Sequence, residues 1–241
     1  MKEIGRNIIR LESVDSTNNY TANRARMDDL PHGAVILAVE QTGGKGQMRA
    51  KWTSQPGMNL TFSIFLDNVN LSVERQFILT KIVSLSLIDL LLGFELPAKI
   101  KWPNDIYIND SKIAGVLIEN SLKGAQIVRS IIGIGLNVNQ QEFENLNATS
   151  LRLESGHSIS NDELLFSFIA KMNQHIDRET DPQLHNDYLN SLYWRDEIRE
   201  FQDQEGTFQG RIIDVAPNGK LIVEREGGMV EFDLKEIRFI R

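Results

Sequence analysis

The chain has 241 residues, 41% of them hydrophobic and 24% charged, which is enough for one sizeable core and excludes an intrinsically disordered protein. It has no cysteine, so disulfides, thiolate metal sites and cysteine nucleophiles are excluded, and a cytoplasmic location is expected. With a net charge of −7 and no signal peptide or membrane-spanning apolar run, it predicts no membrane partner, and nucleic-acid binding only through a local basic patch.

The first predicted elements are a short apolar strand over residues 8–12 and a helix that ends near Met27. Ser13 or Asp15 is placed to cap that helix. Three polar residues stand at the junction of strand and helix: Ser16, Thr17 and Asn18. Two interpretations stay open, ordinary polar residues of a first helical turn or a polar clamp for a small neutral ligand.

A continuous apolar strand over residues 34–40 leads into a glycine-rich loop. The loop reads Gln41, Thr42, Gly43, Gly44, Lys45, Gly46, Gln47, Met48, Arg49, Ala50, Lys51, Trp52. A glycine backbone can approach an anion closely, which favours a phosphate contact. The spacing differs from that of a Walker A loop, and the segment leads towards another strand and not into a helix. A mobile surface loop without a ligand would look similar.

The next elements are structural. A strand is expected over residues 59–66, and Ser72 is expected to cap a helix that ends at Gly93. The helix carries five apolar residues at helical spacing, which predicts a stripe facing the core: Ile78, Ile82, Leu85, Ile88 and Leu92.

The segment that begins at Lys99 concentrates the least ordinary chemistry in the chain. Lys99 and Lys101 alternate with Ile100 and Trp102, so both ammonium groups leave one face of a strand. Trp102 is expected to pack on the other face. Pro103 ends the strand because it has no N–H to donate, and a hairpin follows. An ordinary basic edge strand is the alternative.

A later strand over residues 127–134 carries Gly133 and Gly135 at alternate positions. Such glycines lose packing and allow close approach. They indicate either a β-bulge or a ligand that lies against the backbone, and the sequence does not decide between the two.

Two helices follow. Ser160 and Glu163 form a capping box at the start of a long amphipathic helix, and a second helix is expected over residues 183–193. After Trp194 the pattern changes to short alternating strands separated by turns: residues 207–215, 221–224, 229–234 and 237–240.

These elements predict an α+β protein, because hairpins and helices do not alternate regularly. Two domains are expected, a main domain over residues 1–194 and a small β-barrel over residues 195–241. The barrel has too few residues for an ample core of its own, so we expect it to lean on the main domain.

Five segments occur in an order that resembles the biotin protein ligases: Ser16-Thr17-Asn18, the loop from Gln41 to Gly46 ahead of Lys51-Trp52, Lys101-Trp102-Pro103-Asn104-Asp105, Lys112-Ile113-Ala114-Gly115, and Gly133-Ile134-Gly135-Leu136-Asn137. The segment from Lys101 to Asp105 is highly specific for this family, and the other four strengthen the resemblance by their order and spacing. The resemblance covers nearly the whole chain. It implies a class II aminoacyl-tRNA synthetase-like mixed sheet with flanking helices and a C-terminal SH3-like β-barrel.

The resemblance also implies an activity. Biotin would be activated with ATP and Mg²⁺ to biotinyl-5′-AMP, and the biotinyl group passed to one lysine of a biotin carboxyl carrier domain. Lys101 would be the catalytic residue, between the biotin carboxylate and the α-phosphate. The implied biotin contacts are Ser16, Thr17, Asn18, Gln41, Lys45, Gly46, Gln47, Gly115 and Gly133. The implied contacts of ATP and the adenylate are Gly44, Lys45, Arg49, Trp52, Lys101, Asn104, Lys112 and Asn137. The Mg²⁺ ligands are left unknown.

The chemistry of such a reaction requires these residue types. A carboxylate must approach a negatively charged phosphate, and a fixed ammonium relieves that repulsion. The mixed anhydride hydrolyses in water, so a glycine-hinged loop that closes over it has a purpose beyond binding. Neutral polar groups suit a cyclic urea, whose carbonyl accepts and whose N–H groups donate.

One departure from the family lies in the loop. The family commonly has Gly-Arg-Gly-Arg where this chain has Gly44-Lys45-Gly46-Gln47. The first change keeps the charge and loses the bidentate fork, and the second loses the charge. We therefore hypothesise that Lys45 and Arg49 together hold the adenylate.

Two other functions stay open. A lipoate or octanoate transferase shares the fold, although it is not expected to carry the Lys101 to Asp105 segment. A ligand sensor or scaffold could have kept the pocket and lost turnover. Too few residues precede Ser16 for the DNA-binding domain of some family members, so no DNA partner is expected. The sequence leaves open whether two copies form a homodimer.

Overall fold

The described residues, which are 3–47, 50–144 and 146–241 of this computed structural model, contain a seven-stranded mixed sheet. Its strands are β1 (Ile8–Val14), β2 (Val35–Gln41), β3 (Leu60–Ser72), β4 (Ala98–Lys101), β5 (Asp105–Ile108), β6 (Ser111–Lys123) and β7 (Gln126–Leu136). They lie in the order β1-β2-β3-β7-β6-β5-β4, with β1 and β2 parallel and the other neighbours antiparallel. The predicted α+β fold with a mixed sheet is confirmed.

Within the same described residues, five helices flank this sheet. They are α1 (Thr17–Arg26), α2 (Phe77–Leu92), α3 (Leu151–Ser155), α4 (Asn161–Ile176) and α5 (Gln183–Asn190). α1 covers part of one face, where its Ala25 packs near Ile36 and Phe65. α2 and α4 pack against each other in the large core on the opposite face. None of these helices is long and apolar enough to cross a membrane.

Alternation along β7 decides what each face of the sheet carries. Ile132 and Ile134 enter the large core, whereas Ile131 packs on the side of α1. The same alternation puts Gly133 and Gly135 on the α1 side. Near the N-terminal end of α1, the central strand therefore contributes no side chain to this face of the sheet.

The start of α1 differs from the prediction. Ser16 is the N-cap residue, with extended backbone angles and no capping bond from its side chain, so the expectation that Ser13 or Asp15 caps the helix is wrong. The reason is that β1 continues to Val14, two residues beyond its predicted end, which moves the turn along the chain.

The later helices only partly follow the sequence. Ser160 accepts a hydrogen bond from the N–H of Glu163 at 3.3 Å, which confirms its predicted cap. Ser72 does not cap α2 as predicted. It precedes a 3₁₀ turn, Val73–Arg75, and α2 begins only at Phe77. Leu92 is 65% exposed and lies outside the core stripe. Because α2 is apolar almost all round and buried between the sheet and α4, spacing alone could not choose its core face.

A second, antiparallel sheet follows α5, which ends three residues before its predicted end. Its strands are β8 (Ile198–Gln202), β9 (Thr207–Val215), β10 (Leu221–Arg225), β11 (Gly228–Phe232) and β12 (Arg238–Phe239), in the order β11-β10-β9-β8-β12. β8 was not predicted from the sequence. Phe201 is its single buried residue, so the strand lacks the alternation of buried and exposed residues that would reveal it. Phe201 and Ile212 belong to the same core as Ile100 and Trp102, so the second sheet leans on the first. The domain boundary after Trp194 stays a prediction.

Candidate active site

Gly133 lies in a row of residues that crosses three strands. It pairs with Ser63 of β3 and with Leu117 of β6, and neither pairing has a register shift there. A β-bulge at this glycine, one of the two alternatives from the sequence, is therefore wrong. A Cβ atom on Gly133 would lie 2.3 Å from Oδ1 of Asn18. Glycine is required here because a side chain of α1 lies across the strand.

Gly135 has the same role in the next row of the sheet. It pairs with Thr61 and Gly115, again without a register shift. A Cβ atom on Gly135 would lie 2.3 Å from Cε2 of Trp52. The two glycines of β7 thus admit two side chains of the protein itself, one from α1 and one from the end of the glycine-rich loop.

A cavity of about 610 Å³ opens at these glycines, a volume typical of small-molecule sites. Its walls come from segments that are far apart in the sequence. The predicted site residues that line it are Ser16, Thr17, Asn18, Gln41, Lys45, Gly46, Gln47, Trp52, Lys101, Asn104, Lys112, Gly115 and Gly133. The fold therefore brings together most of the residues that the resemblance implies.

Two predicted contacts lie outside the lining of this cavity. Nδ2 of Asn137 donates to the carbonyl of Thr149 at 3.0 Å, and its backbone N–H donates to the carbonyl of Ile113 at 2.9 Å. Gly44 is buried, and a Cβ atom there would lie 2.3 Å from the carbonyl oxygen of Trp52. In this structure both residues fix segments behind the wall and do not face the cavity.

The pair proposed to hold the adenylate is only partly described. Nζ of Lys45 donates to Oδ1 of Asn19, and Lys45 forms a β-bridge with Lys51 across the loop. Arg49, like Met48, lies outside the described residues. The hypothesis that Lys45 and Arg49 act together stays a prediction.

Four neutral side chains and one carboxylate form a hydrogen-bond network at one end of the cavity. Oε1 of Gln41 accepts from the backbone N–H of Thr17 at 2.8 Å and lies 3.1 Å from its hydroxyl. Oγ of Ser63 lies 2.7 Å from Oγ1 of Thr17 and 2.6 Å from Oδ1 of Asn18. Nδ2 of Asn18 donates to Oε2 of Glu119 at 2.7 Å. We call these five residues the polar clamp. The sequence indicated three of them and missed Ser63 and Glu119.

Lys101 occupies the other end of the cavity. Its Nζ lies 5.1 Å from the ring centroid of Tyr107 and 5.1 Å from that of Phe239. Burial lowers the pKa of Lys101, against the attraction of Asp105, which raises it. Asp105 is itself paired with Lys112 at 2.6 Å. Within the described chain Lys101 has no ion-pair partner, so its charge is available to an anion.

Two neighbours of Lys101 fix the turn that carries it. Nε1 of Trp102 donates to the carbonyl of Gly219 at 2.8 Å, and the indole belongs to the large core. Nδ2 of Asn104 donates to the carbonyl of Val116. The expectation that Trp102 packs is confirmed, although it also borders the cavity.

The C-terminal segment supplies a wall that the sequence analysis did not assign to the site. Nη1 of Arg241 donates to the carbonyl of Asp110 at 2.6 Å, and its guanidinium lies 4.9 Å from the ring of Tyr107. The available signal was a basic residue at every third position, 235, 238 and 241. The residues of this segment that line the cavity are Leu234, Lys235, Ile237, Arg238 and Phe239.

Comparison with known proteins agrees with this geometry. The model of the biotin/lipoate A/B protein ligase family matches residues 11–137. The bifunctional ligase/repressor BirA of Bacillus spizizenii is 30% identical over 242 residues, which span 94% of this chain and 72% of that protein. The biotin–[acetyl-CoA-carboxylase] ligase of Paracoccus denitrificans is 28% identical over 64% of this chain and 67% of its own length.

Solved structures show the same similarity. The biotin protein ligase of Aquifex aeolicus in complex with biotin and ATP superposes with a TM-score of 0.81 at 27% identity, and the match covers 98% of this chain and 100% of that one. Fold, cavity and sequence similarity thus lead to one assignment. The chain belongs to the biotin/lipoate A/B protein ligase family.

Proposed function

We propose that this protein is a biotin protein ligase, which activates biotin with MgATP to biotinyl-5′-AMP and transfers the biotinyl group to a specific lysine of a biotin carboxyl carrier domain. One observation carries the proposal: a single cavity has the polar clamp at one end and the half-buried ammonium of Lys101 at the other. Biotin likewise has a neutral cyclic urea at one end and a carboxylate at the other. Relatives named as biotin ligases support it.

In the first step a carboxylate oxygen of biotin attacks the α-phosphorus of ATP. The new bond forms an acyl–phosphate anhydride, and pyrophosphate leaves with the electron pair of the broken P–O bond. Both reactants are anions, so Lys101 between them relieves their repulsion and stabilises the charge that develops at phosphorus. Burial of the ammonium strengthens this effect, because the local dielectric constant is lower than that of water.

In the second step the neutral amine of the carrier lysine attacks the acyl carbon of the anhydride. A C–N bond forms, the C–O bond to AMP breaks, AMP leaves as an anion with the electron pair of that bond, and the attacking nitrogen loses its proton to solvent. The two steps require no covalent intermediate with the enzyme, in keeping with a chain that has no cysteine.

The glycine-rich loop protects the anhydride between the two steps. The N–H of Gly46 donates to the carbonyl of Ala50 at 2.7 Å, and the N–H of Trp52 donates to the carbonyl of Gly44 at 3.0 Å. The loop therefore folds back on itself, and the indole of Trp52 covers Gly135. A wall of this kind excludes water from an intermediate that hydrolyses readily.

Mg²⁺ enters this proposal as part of the substrate MgATP, held mainly by phosphates and water. The described residues include no group of three or more His, Asp or Glu side chains that could hold a metal ion, so we assign no ligands. A cytoplasmic location and the lack of a DNA partner stay predictions, and a homodimer stays open. Retardation of DNA by the purified protein at physiological salt would contradict the prediction that the protein has no DNA partner.

Exchange of labelled pyrophosphate into ATP tests the proposed function. We expect exchange that depends on biotin and Mg²⁺ and that lipoate does not support. Exchange driven by lipoate would assign a lipoate ligase, and biotin binding without exchange would assign a ligand sensor. Either result would contradict the proposal.

A further inference from the structure

Glu119 stands at the end of a hydrogen-bonded chain that leads into the cavity. Its Oε2 accepts from Nδ2 of Asn18 at 2.7 Å, Oδ1 of Asn18 lies 2.6 Å from Oγ of Ser63, and this oxygen lies 2.7 Å from Oγ1 of Thr17. Thr17 lines the cavity, whereas Ser63 and Glu119 do not belong to its lining. A carboxylate is thus linked through two side chains to a group that faces the ligand.

The charge of Glu119 sets the direction of each hydrogen bond in this chain. A carboxylate can only accept, so Asn18 must present its Nδ2 to it. The carbonyl of Leu117, 3.5 Å from the same Nδ2, favours the same orientation. Oδ1 of Asn18 then faces Ser63 and can only accept, so the Ser63 hydroxyl donates to it. Once Ser63 has donated its one hydrogen to Asn18, the 2.7 Å contact requires the Thr17 hydroxyl to donate to the Ser63 oxygen, and this excludes its longer alternative, donation to Oε1 of Gln41 at 3.1 Å.

We infer that Glu119 and Ser63 are positioning residues, which make the Thr17 hydroxyl a fixed and strengthened acceptor for an N–H group of the cyclic urea. This inference rests on the proposed function. Hydrogen bonds that all point the same way polarise one another, so the negative charge at Glu119 increases the acceptor strength of Thr17 Oγ1. Oε1 of Gln41 accepts from the backbone N–H of Thr17, so the other end of the same amide, Nε2, is the donor that Gln41 offers to a ligand.

The sheet holds this chain of side chains in place. Ser63 is fully buried on β3, beside Gly133, whose missing side chain makes room for Asn18. Glu119 is an exposed residue of β6. Because no core packing depends on an exposed carboxylate, Glu119 can be changed without unfolding the protein, and its effect on the ligand can be measured directly.

Calorimetric titration of the Glu119→Gln variant with biotin tests the inference. The change keeps the size of the side chain and removes the charge, so we expect biotin affinity about tenfold weaker. The single-turnover rate of adenylate formation at saturating biotin is expected to stay unchanged, because the chain acts on the urea and not on the reacting carboxylate. A merely structural role would not separate affinity from rate in this way.

Glu12→Gln is the matched control. Glu12 is an exposed glutamate of β1 for which the described part of the chain offers no hydrogen bond or ion pair, and its substitution changes the net charge by the same amount. We expect unchanged biotin affinity. An equal loss in this variant would overturn the inference, since it would reveal a general effect of charge.

A double substitution tests whether the two residues act through one chain. Ser63→Ala interrupts the chain between Asn18 and Thr17, so the further change Glu119→Gln is expected to cause no additional loss of affinity. Additive losses would overturn the inference. If Ser63→Ala does not fold, the comparison of biotin affinity with the rate of adenylate formation in Glu119→Gln still tests the inference.

The outcomes also separate this inference from the proposed function. A wild-type protein that does not bind biotin would contradict the proposed function. A wild-type protein that binds biotin only as tightly as the Glu119→Gln variant would overturn the role of Glu119 and leave the proposed function standing.

Discussion

The two ends of the cavity satisfy their polar groups in different ways. In the polar clamp, Thr17 and Asn18 are hydrogen bonded to other side chains of the protein before any ligand arrives. At the other end, Lys101 lies between two aromatic rings and has no ion-pair partner in the described chain. A neutral group can be recognised by partners that are already paired, whereas an anion is attracted by a charge that has no ion-pair partner among the described residues.

This difference separates two properties that are often lost together. The polar clamp should determine how tightly the cyclic urea binds, and Lys101 should determine how fast the carboxylate reacts. The clamp adds to stability because its groups are paired, but Lys101 lowers it because a buried ammonium loses hydration. Substitutions in the polar clamp should therefore lower biotin affinity and stability and leave the rate nearly unchanged. Substitution of Lys101 should mainly lower the rate and should raise the stability.

Substitution of Lys101 should give the largest effect. Lys101→Met keeps the length of the side chain and removes its charge, so the rate of adenylate formation should fall by about 10³-fold. Biotin affinity should fall by only about tenfold, the loss of one charged hydrogen bond. Single-turnover kinetics and calorimetry measure the two quantities. Equal losses in both would make Lys101 a binding residue.

Lys99→Met is the matched control for this substitution. Lys99 leaves the same face of β4, and its Nζ donates to the carbonyl of Asn190 at 3.2 Å, away from the cavity. We expect a rate of adenylate formation close to that of the wild type. A loss as large as that of Lys101→Met would show that net charge on this strand, and not the position of one ammonium, governs the reaction.

Gly133→Ala should damage the opposite end. The new Cβ atom would lie 2.3 Å from Oδ1 of Asn18, so the amide must move and the polar clamp must rearrange. A rearrangement that costs about 2 kcal/mol would weaken biotin binding about 30-fold, while the rate at saturating biotin should change little. Adding Asn18→Ala relieves the overlap, so the double variant should bind biotin as Asn18→Ala alone does. A double variant weaker than that would contradict the stated cause.

A smaller effect is expected on stability, and its sign is opposite to the effect on activity. Removing the half-buried charge in Lys101→Met should raise the Tm of the free protein at pH 7, by about 2 °C for a gain of about 1 kcal/mol. Burial puts the pKa of Lys101 in the folded protein below 10.5, its value in the unfolded chain. The wild type therefore gains stability as the pH rises through the pKa of the folded protein, and the difference in Tm between variant and wild type should shrink. Thermal unfolding at pH 7 and at a pH above the pKa of folded Lys101 measures the difference in Tm between the two proteins. A lower Tm in the variant at pH 7 would contradict the account.

The order of the elements was predictable because its signals are local. The strand expected over residues 34–40 is β2, and the cap at Ser160 starts α4 as predicted. Lys101 and the segment from Ser16 to Asn18 could be singled out because they stand in short motifs. The core face of α2 could not, because a helix that is apolar all round does not reveal which neighbours will cover it.

The rest of the site depends on contacts between distant segments of the chain. Ser63 lies in an ordinary alternating strand, and the pairing of β3 with β7 brings it under Asn18. Glu119 comes into reach of the same amide through the pairing of β6 with β7. Phe239 reaches Lys101 because the second sheet packs on the first. No periodicity in the sequence encodes such registers, so these residues required the structure.

The central claim is that the half-buried ammonium of Lys101, which has no ion-pair partner in the described part of the chain, faces the polar clamp across the cavity. Measuring the protons taken up on ligand binding tests it most directly. A carboxylate beside Lys101 raises the pKa of the ammonium, so biotin binding at about pH 9.5 should take up protons, which calorimetry in buffers of different ionisation enthalpy measures. Biotinol, the uncharged alcohol with the same cyclic urea, should bind without uptake, and Lys101→Met should show none with either ligand. Equal uptake for both ligands, or uptake that persists in the variant, would contradict the account.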